Sequence, residues 1–141
     1  MGSPRYQQLL DDAAREVEAL EPAEAIRLVG SAGDVFVDVR DSAELLRNGR
    51  IPGSIHADRG MLEFYLDAES PFYKPVFGEA KRFVFYCAGG WRSALAAQTA
   101  KHMGLARVAH VRGGLEAWTR AGGPTARVPP AEPAGTPSGK R

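Results

Sequence analysis

The segment of this sequence best suited to chemistry is Cys87-Ala88-Gly89-Gly90-Trp91-Arg92, which begins at the only cysteine of the 141 residues. Cys87 ends an apolar run and precedes a segment with a helical pattern, which predicts a thiol between a strand and a helix N-terminus. The two glycines let the backbone bend tightly, so that successive N–H groups can converge on one anion. The helix N-terminus and the Arg92 guanidinium add positive charge. Together these features favour the thiolate, which is the nucleophilic form of cysteine, and equally a persulfide anion on the same sulfur.

The alternative for Cys87 is a structural cysteine in the core, because free cysteines are among the most buried residues. A core position does not require the Gly-Gly-Trp-Arg-Ser continuation, so we favour the nucleophile. Trp91 could form one wall of a sulfur pocket or could simply pack. Arg92 taken alone is equally typical of a solvated helix residue. Because a single cysteine cannot form an internal disulfide or dithiol, another molecule must resolve any covalent intermediate on Cys87.

Asp38 and Arg40 follow another predicted strand and should face the same sheet edge as Cys87, where they could shape a pocket or orient a substrate. We favour a structural alternative, in which Asp38 caps a helix and Arg40 pairs with Glu44 four residues later. The histidines show no second ligand at a metal-binding spacing, so no metal site is predicted and structural roles are favoured. They are His56, His102 and His110.

The elements that position these residues follow from hydrophobic periodicity. Short β-branched and aromatic runs predict strands, and 3.6-residue periodicity with glycine or proline boundaries predicts helices. Strands alternating with helices imply an α/β fold with a mainly parallel central sheet and helices on both faces. Ligands bind such sheets beyond the carboxyl ends of the strands, where Cys87 falls. The predicted strands are 35–39, 54–57, 82–86 and 108–111, and the predicted helices are 7–20, 22–29, 43–47, 60–66, 91–103 and 115–121.

Composition indicates one globular domain, with 44% hydrophobic residues and a net charge of +1 from 18 Lys plus Arg against 17 Asp plus Glu. This balance offers no basic or acidic surface, so neither nucleic acid nor membrane is expected as a partner. No signal-like or membrane-spanning segment is apparent, which predicts a cytoplasmic protein. We divide the chain into an N-terminal helical extension (1–20), a domain (21–124) and a disordered proline-rich tail (125–141).

The chain resembles the rhodanese superfamily, whose members carry sulfur as a cysteine persulfide. The similarity occurs in family order across roughly residues 21–124. Each motif alone is weak, but their combination at domain-length spacing is specific. The matching segments are Asp38-Val39-Arg40 with Glu44, Gly49-Arg50-Ile51-Pro52-Gly53-Ser54, Cys87-Ala88-Gly89-Gly90-Trp91-Arg92-Ser93, Gly113-Gly114-Leu115-Glu116-Ala117-Trp118 and Ala121-Gly122-Gly123-Pro124.

This resemblance implies the rhodanese-like fold and a persulfide on Cys87, cradled by the backbone of the following loop. Four residues separate Cys87 from Arg92, as in the sulfurtransferases, whereas the phosphatase and arsenate reductase relatives have five. We therefore predict a cofactor-free sulfurtransferase that moves sulfur from a small-molecule donor, thiosulfate-like or persulfide, to a thiol acceptor that is small or a protein. The predicted substrate-binding residues are Ala88, Gly89, Gly90, Trp91, Arg92, Asp38 and Arg40.

Two positions depart from the family pattern. Arg50 stands where members often have histidine, in a turn where it should affect packing more than chemistry. Ala88 and Gly89 stand where members proficient with thiosulfate often carry a basic residue. This second departure motivates an alternative function as a non-catalytic binding or sensing module.

Overall fold

The computed structural model describes residues 2–128 and contains one five-stranded sheet. The strand order is β1-β5-β4-β2-β3, and every neighbouring pair is parallel. The chain has an α/β fold, as its alternating pattern predicted. The strands are β1 (Glu18–Leu20), β2 (Asp34–Asp38), β3 (Ile55–His56), β4 (Arg82–Tyr86) and β5 (Val108–Val111).

Helices cover both faces of the sheet because successive side chains of a strand point to opposite faces. In β4, Phe83 and Phe85 join the hydrophobic cluster that includes side chains of α1's C-cap, α4 and α5. Val84 and Tyr86 join the cluster on the other face, beneath α2 and α6. The helices are α1 (Tyr6–Glu16), α2 (Pro22–Ile26), α3 (Ser42–Asn48), α4 (Leu62–Leu66), α5 (Trp91–His102) and α6 (Gly114–Arg120), with short 3-10 turns at Arg59–Met61 and Pro75–Gly78.

The helix predicted over 7–20 is wrong at its C-terminal end. The helix stops at Glu16, Val17 is extended, and Glu18–Leu20 form the edge strand β1 beside β5. The spacing of apolar residues in a short segment carries no information about backbone hydrogen bonds to a strand about ninety residues away. Leu20 is buried, as the helix prediction also expected, but it reaches the core from a strand. Residues 18–20 are therefore part of the sheet, and α1 packs on α5.

One further backbone pairing lies beyond residue 124, where the domain is predicted to end. Ala126 exchanges both backbone hydrogen bonds with Arg50, at N···O distances of 2.8 and 2.9 Å. The rest of the predicted proline-rich tail, from 129 to 141, lies outside the described residues. Among the helices of residues 2–128, none is long and apolar enough to cross a membrane.

Candidate active site

Cys87 lies immediately after β4, the middle strand of the sheet, and before the N-terminus of α5. The four C-terminal residues of β4 are buried, because the strand is covered on both faces. The loop then turns at Gly90, whose φ of +104° is one that only glycine adopts readily. A Cβ there would lie 3.1 Å from the backbone nitrogen of Gly113. The predicted placement of Cys87 at a strand end is confirmed.

Backbone N–H groups at the start of α5 point at the cysteine sulfur. The N–H groups of Gly90 and Ser93 donate to Cys87 Sγ, at 3.1 and 3.4 Å. The thiol in turn donates to Ser93 Oγ at 3.5 Å. Fixed donors at a helix N-terminus stabilise an anion at this position, which for Sγ is the thiolate.

Cys87 lines a cavity of about 420 Å³ together with Gly89, Trp91 and Arg92. Cys87 is only 1% exposed and packs with the core on one side, whereas Trp91 is 61% exposed. The Trp91 ring lies 5.0 Å from the ring of Tyr6 in α1. The structure therefore brings four of the predicted site residues together around one small space.

The loop is held from behind by the start of α6, which explains the Gly113-Gly114 pair. Leu115 N–H donates to the Cys87 carbonyl at 2.8 Å, and Glu116 N–H donates to the Ala88 carbonyl at 3.1 Å. A Cβ on Gly114 would lie 2.5 Å from the Ala88 oxygen and 2.6 Å from the Cys87 oxygen. Ala88, predicted as a substrate contact, thus uses its carbonyl to anchor the loop.

Arg92 forms a two-point ion pair with a carboxylate from α3. Its Nη1 and Nη2 donate to the two carboxylate oxygens of Glu44, at 2.8 and 2.9 Å. This hydrogen bonding is the main cause that lowers the pKa of Glu44 to about 2. The predicted charge pair between Arg40 and Glu44 is therefore wrong, because Arg40 Nη1 reaches only the backbone carbonyl of Glu44, at 3.5 Å. The charge of Arg92 is compensated by Glu44 beside the cavity.

Asp38 and Arg40 form a buried ion pair, and both are 0% exposed. Arg40 Nε and Nη2 donate to the two carboxylate oxygens of Asp38, at 2.9 and 2.7 Å. Arg40 Nη2 also donates to the Gly49 carbonyl at 2.7 Å. The predicted helix cap at Asp38 is wrong, because Asp41 caps α3. Neither residue of the pair lines the cavity, so substrate contact by Asp38 and Arg40 stays a prediction and the geometry supports a structural role.

The same ion pair helps to hold the turn at 49–54, together with Tyr86 at the end of β4. The Tyr86 hydroxyl accepts the Ile51 N–H at 3.0 Å and bonds Ser54 Oγ at 3.1 Å. His56 lies nearby with its Nε2 2.6 Å from the Arg40 carbonyl oxygen. These contacts explain the Ile-Pro-Gly-Ser segment as a structural brace. Within residues 2–128 no group of three His, Cys, Asp or Glu side chains could hold a metal ion.

A family model for the rhodanese-like domain matches residues 21–121. This chain belongs to the rhodanese-like domain family. A mouse thiosulfate sulfurtransferase/rhodanese-like domain-containing protein is 32% identical over 96 residues, which cover 64% of this chain and 61% of the mouse protein. The chain thus matches less than two thirds of that relative's length.

Two of the solved structures that are similar to this rhodanese-like chain illustrate the match. A protein of unknown function from Rhodopseudomonas palustris, described as a possible tyrosine phosphatase, has 52% sequence identity and a TM-score of 0.86. The match covers 89% of this chain and 97% of that one. A rhodanese-related protein from Thermoplasma volcanium has 25% identity and a TM-score of 0.62, over 77% of this chain and 97% of that one.

Three contacts of this rhodanese-like site did not follow from the sequence. Ser93 was noted only as part of a motif, yet it contacts the sulfur through both its N–H and its hydroxyl. His110 showed no pattern, but its Nδ1 lies 3.4 Å from Ser93 Oγ. The bond of Glu44 to Arg92 joins residues 48 positions apart. For Ser93 a signal existed, since it lies in the first turn of the helix that follows the cysteine loop.

Proposed function

We propose that this protein is a sulfurtransferase that carries sulfane sulfur as a persulfide on Cys87. The observation that carries the proposal is the environment of Cys87, which lines a cavity and whose Sγ accepts hydrogen bonds from the N–H groups of Gly90 and Ser93. These donors are fixed by the loop and by α5, so they stabilise negative sulfur without rearranging. The family match and the name of the mouse relative support the same chemistry.

The proposed reaction has two exchange steps. In the first, the Cys87 thiolate attacks the outer sulfur of the donor, and the donor's bond to that sulfur breaks. The remainder of the donor leaves with the electron pair of that bond. In the second, an acceptor thiolate attacks the outer sulfur of the Cys87 persulfide and regenerates the Cys87 thiolate. Since Cys87 is the sole cysteine, the acceptor is a separate small thiol or a protein thiol.

Phosphatase activity is the competing proposal, because the Rhodopseudomonas palustris neighbour is described as a possible tyrosine phosphatase. Binding of a phosphate dianion draws on a guanidinium that can donate two hydrogen bonds. In this protein Glu44 accepts one hydrogen bond from each terminal nitrogen of Arg92 and compensates its charge, although the guanidinium keeps further N–H donors. Glu116 adds a second carboxylate, whose Oε1 would lie 4.0 Å from a Cβ on Gly89. Two carboxylates and one arginine beside the loop are unfavourable for any dianion, thiosulfate included. The preference for sulfur over phosphate chemistry therefore rests on the four-residue spacing between Cys87 and Arg92.

Mass spectrometry of the intact protein tests the proposal. Incubation with thiosulfate, inorganic polysulfide or an organic hydropersulfide should add one sulfur atom, which a small thiol then removes. The Cys87→Ser variant should gain no sulfur. His102→Gln is the matched control and should load normally, because His102 lies at the far end of α5 and contacts Glu16.

The same preparations should be assayed for hydrolysis of an aryl phosphate. If no donor loads Cys87 while aryl phosphate is hydrolysed in a Cys87-dependent way, the protein is a phosphatase. If neither reaction occurs, the alternative of a binding or sensing module is favoured. Either result contradicts the sulfurtransferase proposal.

A further inference from the structure

A second cavity, of about 440 Å³, lies against the loop, and its lining differs from that of the sulfur cavity except at Gly89 and Trp91. One wall comes from α1, which precedes the residues matched by the family model. The opposite wall comes from β5 and the residues just after it. The polar and charged side chains that line this cavity, apart from the indole, are Asp11, His110 and Arg112.

His110 connects this second cavity to the interior of the site. It is 8% exposed, and its Nδ1 lies 3.4 Å from Ser93 Oγ. Among residues 2–128 no other hydrogen bond to the imidazole is formed, and no fully buried side-chain nitrogen or oxygen lacks a partner. Nε2 must therefore retain accessible surface, which the cavity supplies. Burial lowers the pKa of His110 to about 4, so near neutral pH the ring carries one proton that either nitrogen can hold.

Ser93 is the link between His110 and the cysteine. Its Oγ lies 3.5 Å from Cys87 Sγ, 3.4 Å from His110 Nδ1 and 3.3 Å from the Gly90 carbonyl oxygen. A hydroxyl has one proton to donate and can accept at the same time. With a neutral thiol, the bonds can run from sulfur to Oγ to Nδ1. With a thiolate they can run in reverse, from Nδ1–H to Oγ and from Oγ–H to sulfur.

We propose that Ser93 and His110 form a proton relay, which carries the thiol proton of Cys87 to the cavity between α1 and the loop. The inference deepens the proposed function and rests on it for its chemical purpose. The thiol proton moves to Ser93 Oγ, the hydroxyl proton moves to His110 Nδ1, and the proton on Nε2 leaves to solvent. The sulfur keeps the electron pair of its S–H bond, one proton is released, and nothing is oxidised or reduced. His110 acts through Ser93 and is a positioning residue, whereas Ser93 touches the reacting sulfur.

Few other charges can contribute to a pH dependence of this relay. Asp11 faces the cavity from α1, and Arg112 faces it from the end of β5. Arg112 Nε is bound to Glu21 at 2.7 Å. The strands beside His110 place Ala19 and Phe85 next to it, and α5 contributes Ser93 and Ala94. Those four neighbours carry no charge. Arg92 lies beside Cys87 and interacts with its charge, but it is the same in every variant, so differences between variants report on the relay.

Ultraviolet absorbance of the thiolate, with Cys87→Ser as the blank, tests the relay through the only cysteine of the chain. The ionisation midpoint should rise by about one pH unit in Ser93→Ala and in His110→Gln, equivalent to about 1.4 kcal/mol. Ser93→Thr keeps the hydroxyl and should keep the wild-type midpoint. His102→Gln is the control for a histidine outside the relay. Unchanged midpoints in both Ser93→Ala and His110→Gln would overturn the inference.

Chemical rescue separates proton transfer from a purely structural role. His110→Ala should load sulfur about tenfold more slowly at neutral pH, matching the one-unit shift, and added imidazole should restore the rate through the cavity. The double variant Ser93→Ala/His110→Ala should not be rescued, because the link to sulfur is missing. Rescue of the double variant by imidazole would overturn the relay. If His110→Ala fails to fold, His110→Gln and the two Ser93 variants decide the outcome.

The titration needs no sulfur donor, so the relay and the proposed function can fail separately. A protein that shows the midpoint shifts but accepts no sulfur would retain the relay and lose the sulfurtransferase proposal. A protein that loads sulfur without any midpoint shift would lose the relay alone.

Discussion

Replacing Asp38 by asparagine should destabilise the fold strongly, although Asp38 does not line the sulfur cavity. The carboxylate accepts three hydrogen bonds from Arg40, from its backbone N–H, Nε and Nη2, at 3.0, 2.9 and 2.7 Å. Both side chains are inaccessible, at 0% and 1% exposure. Asparagine would leave the buried guanidinium without a counter-charge and place an amide N–H₂ against a donor. Breaking a buried pair in this way costs about 3–5 kcal/mol.

Urea unfolding of wild type and Asp38→Asn measures this loss as a difference in the free energy of unfolding. That loss is large beside a typical domain stability of about 5–15 kcal/mol. Glu63→Gln is the matched control, because it removes an ion pair at the surface. The partner of Glu63 is Arg59, four residues earlier, and the side-chain exposures are 47% for Glu63 and 31% for Arg59. It should cost less than about 1 kcal/mol.

A double variant distinguishes the unpaired charge from general disruption. Replacing both partners, in Asp38→Asn/Arg40→Met, removes the buried charge and should recover part of the stability lost in Asp38→Asn alone. A loss below about 1 kcal/mol for Asp38→Asn, or a double variant that is less stable by the sum of both single changes, would refute the reasoning.

Two further predictions concern the surroundings of the loop. Because the folded-state pKa of Glu44 is lowered from 4.5 to about 2, its stabilisation is complete above pH 4.5 and lost as the pH falls towards 2. Glu44→Gln, which can keep the capping role at the start of α3, should therefore be less stable than wild type at neutral pH by an amount that shrinks within this window. Gly114→Ala should destabilise the protein and slow sulfur loading, since its Cβ would displace the Cys87 and Ala88 carbonyls. Gly122→Ala is the control for backbone strain alone, because Gly122 has a positive φ but a Cβ there would meet nothing within 4 Å. It should leave sulfur loading intact. Equal loading rates in the two glycine variants would contradict this explanation.

Much of the fold was readable from local sequence properties. The strand predicted at 82–86 is found as Arg82–Tyr86, because an apolar and aromatic run of strand length carries its own signal. Cys87 at the end of that strand and the glycines behind it followed from the same run and from the helix that begins at Trp91. The parallel sheet with helices on both faces followed from the alternation of strands and helices.

The same local reasoning was wrong where contacts with distant segments determine the backbone conformation or the side-chain partner. Residues 18–20 are extended because β5 offers hydrogen bonds, and a helical spacing of apolar residues cannot register a partner that far along the chain. Arg40 sits within hydrogen-bonding range of Asp38, two residues earlier, and of Gly49 across α3. The prediction from helical spacing alone paired it with the Glu44 carboxylate, whereas only the Glu44 backbone carbonyl is within reach.

The sequence by itself determined that a single cysteine stands between a strand and a helix, with glycines that allow N–H groups to converge on it. Only the tertiary structure decided which groups surround that sulfur. Glu44 reaches Arg92 and His110 reaches Ser93 because parallel strands bring the carboxyl ends of β2, β4 and β5 to one edge of the sheet. Residue type and spacing encode local backbone geometry. The charge balance and proton path at Cys87 depend on side chains that meet only after the sheet has formed.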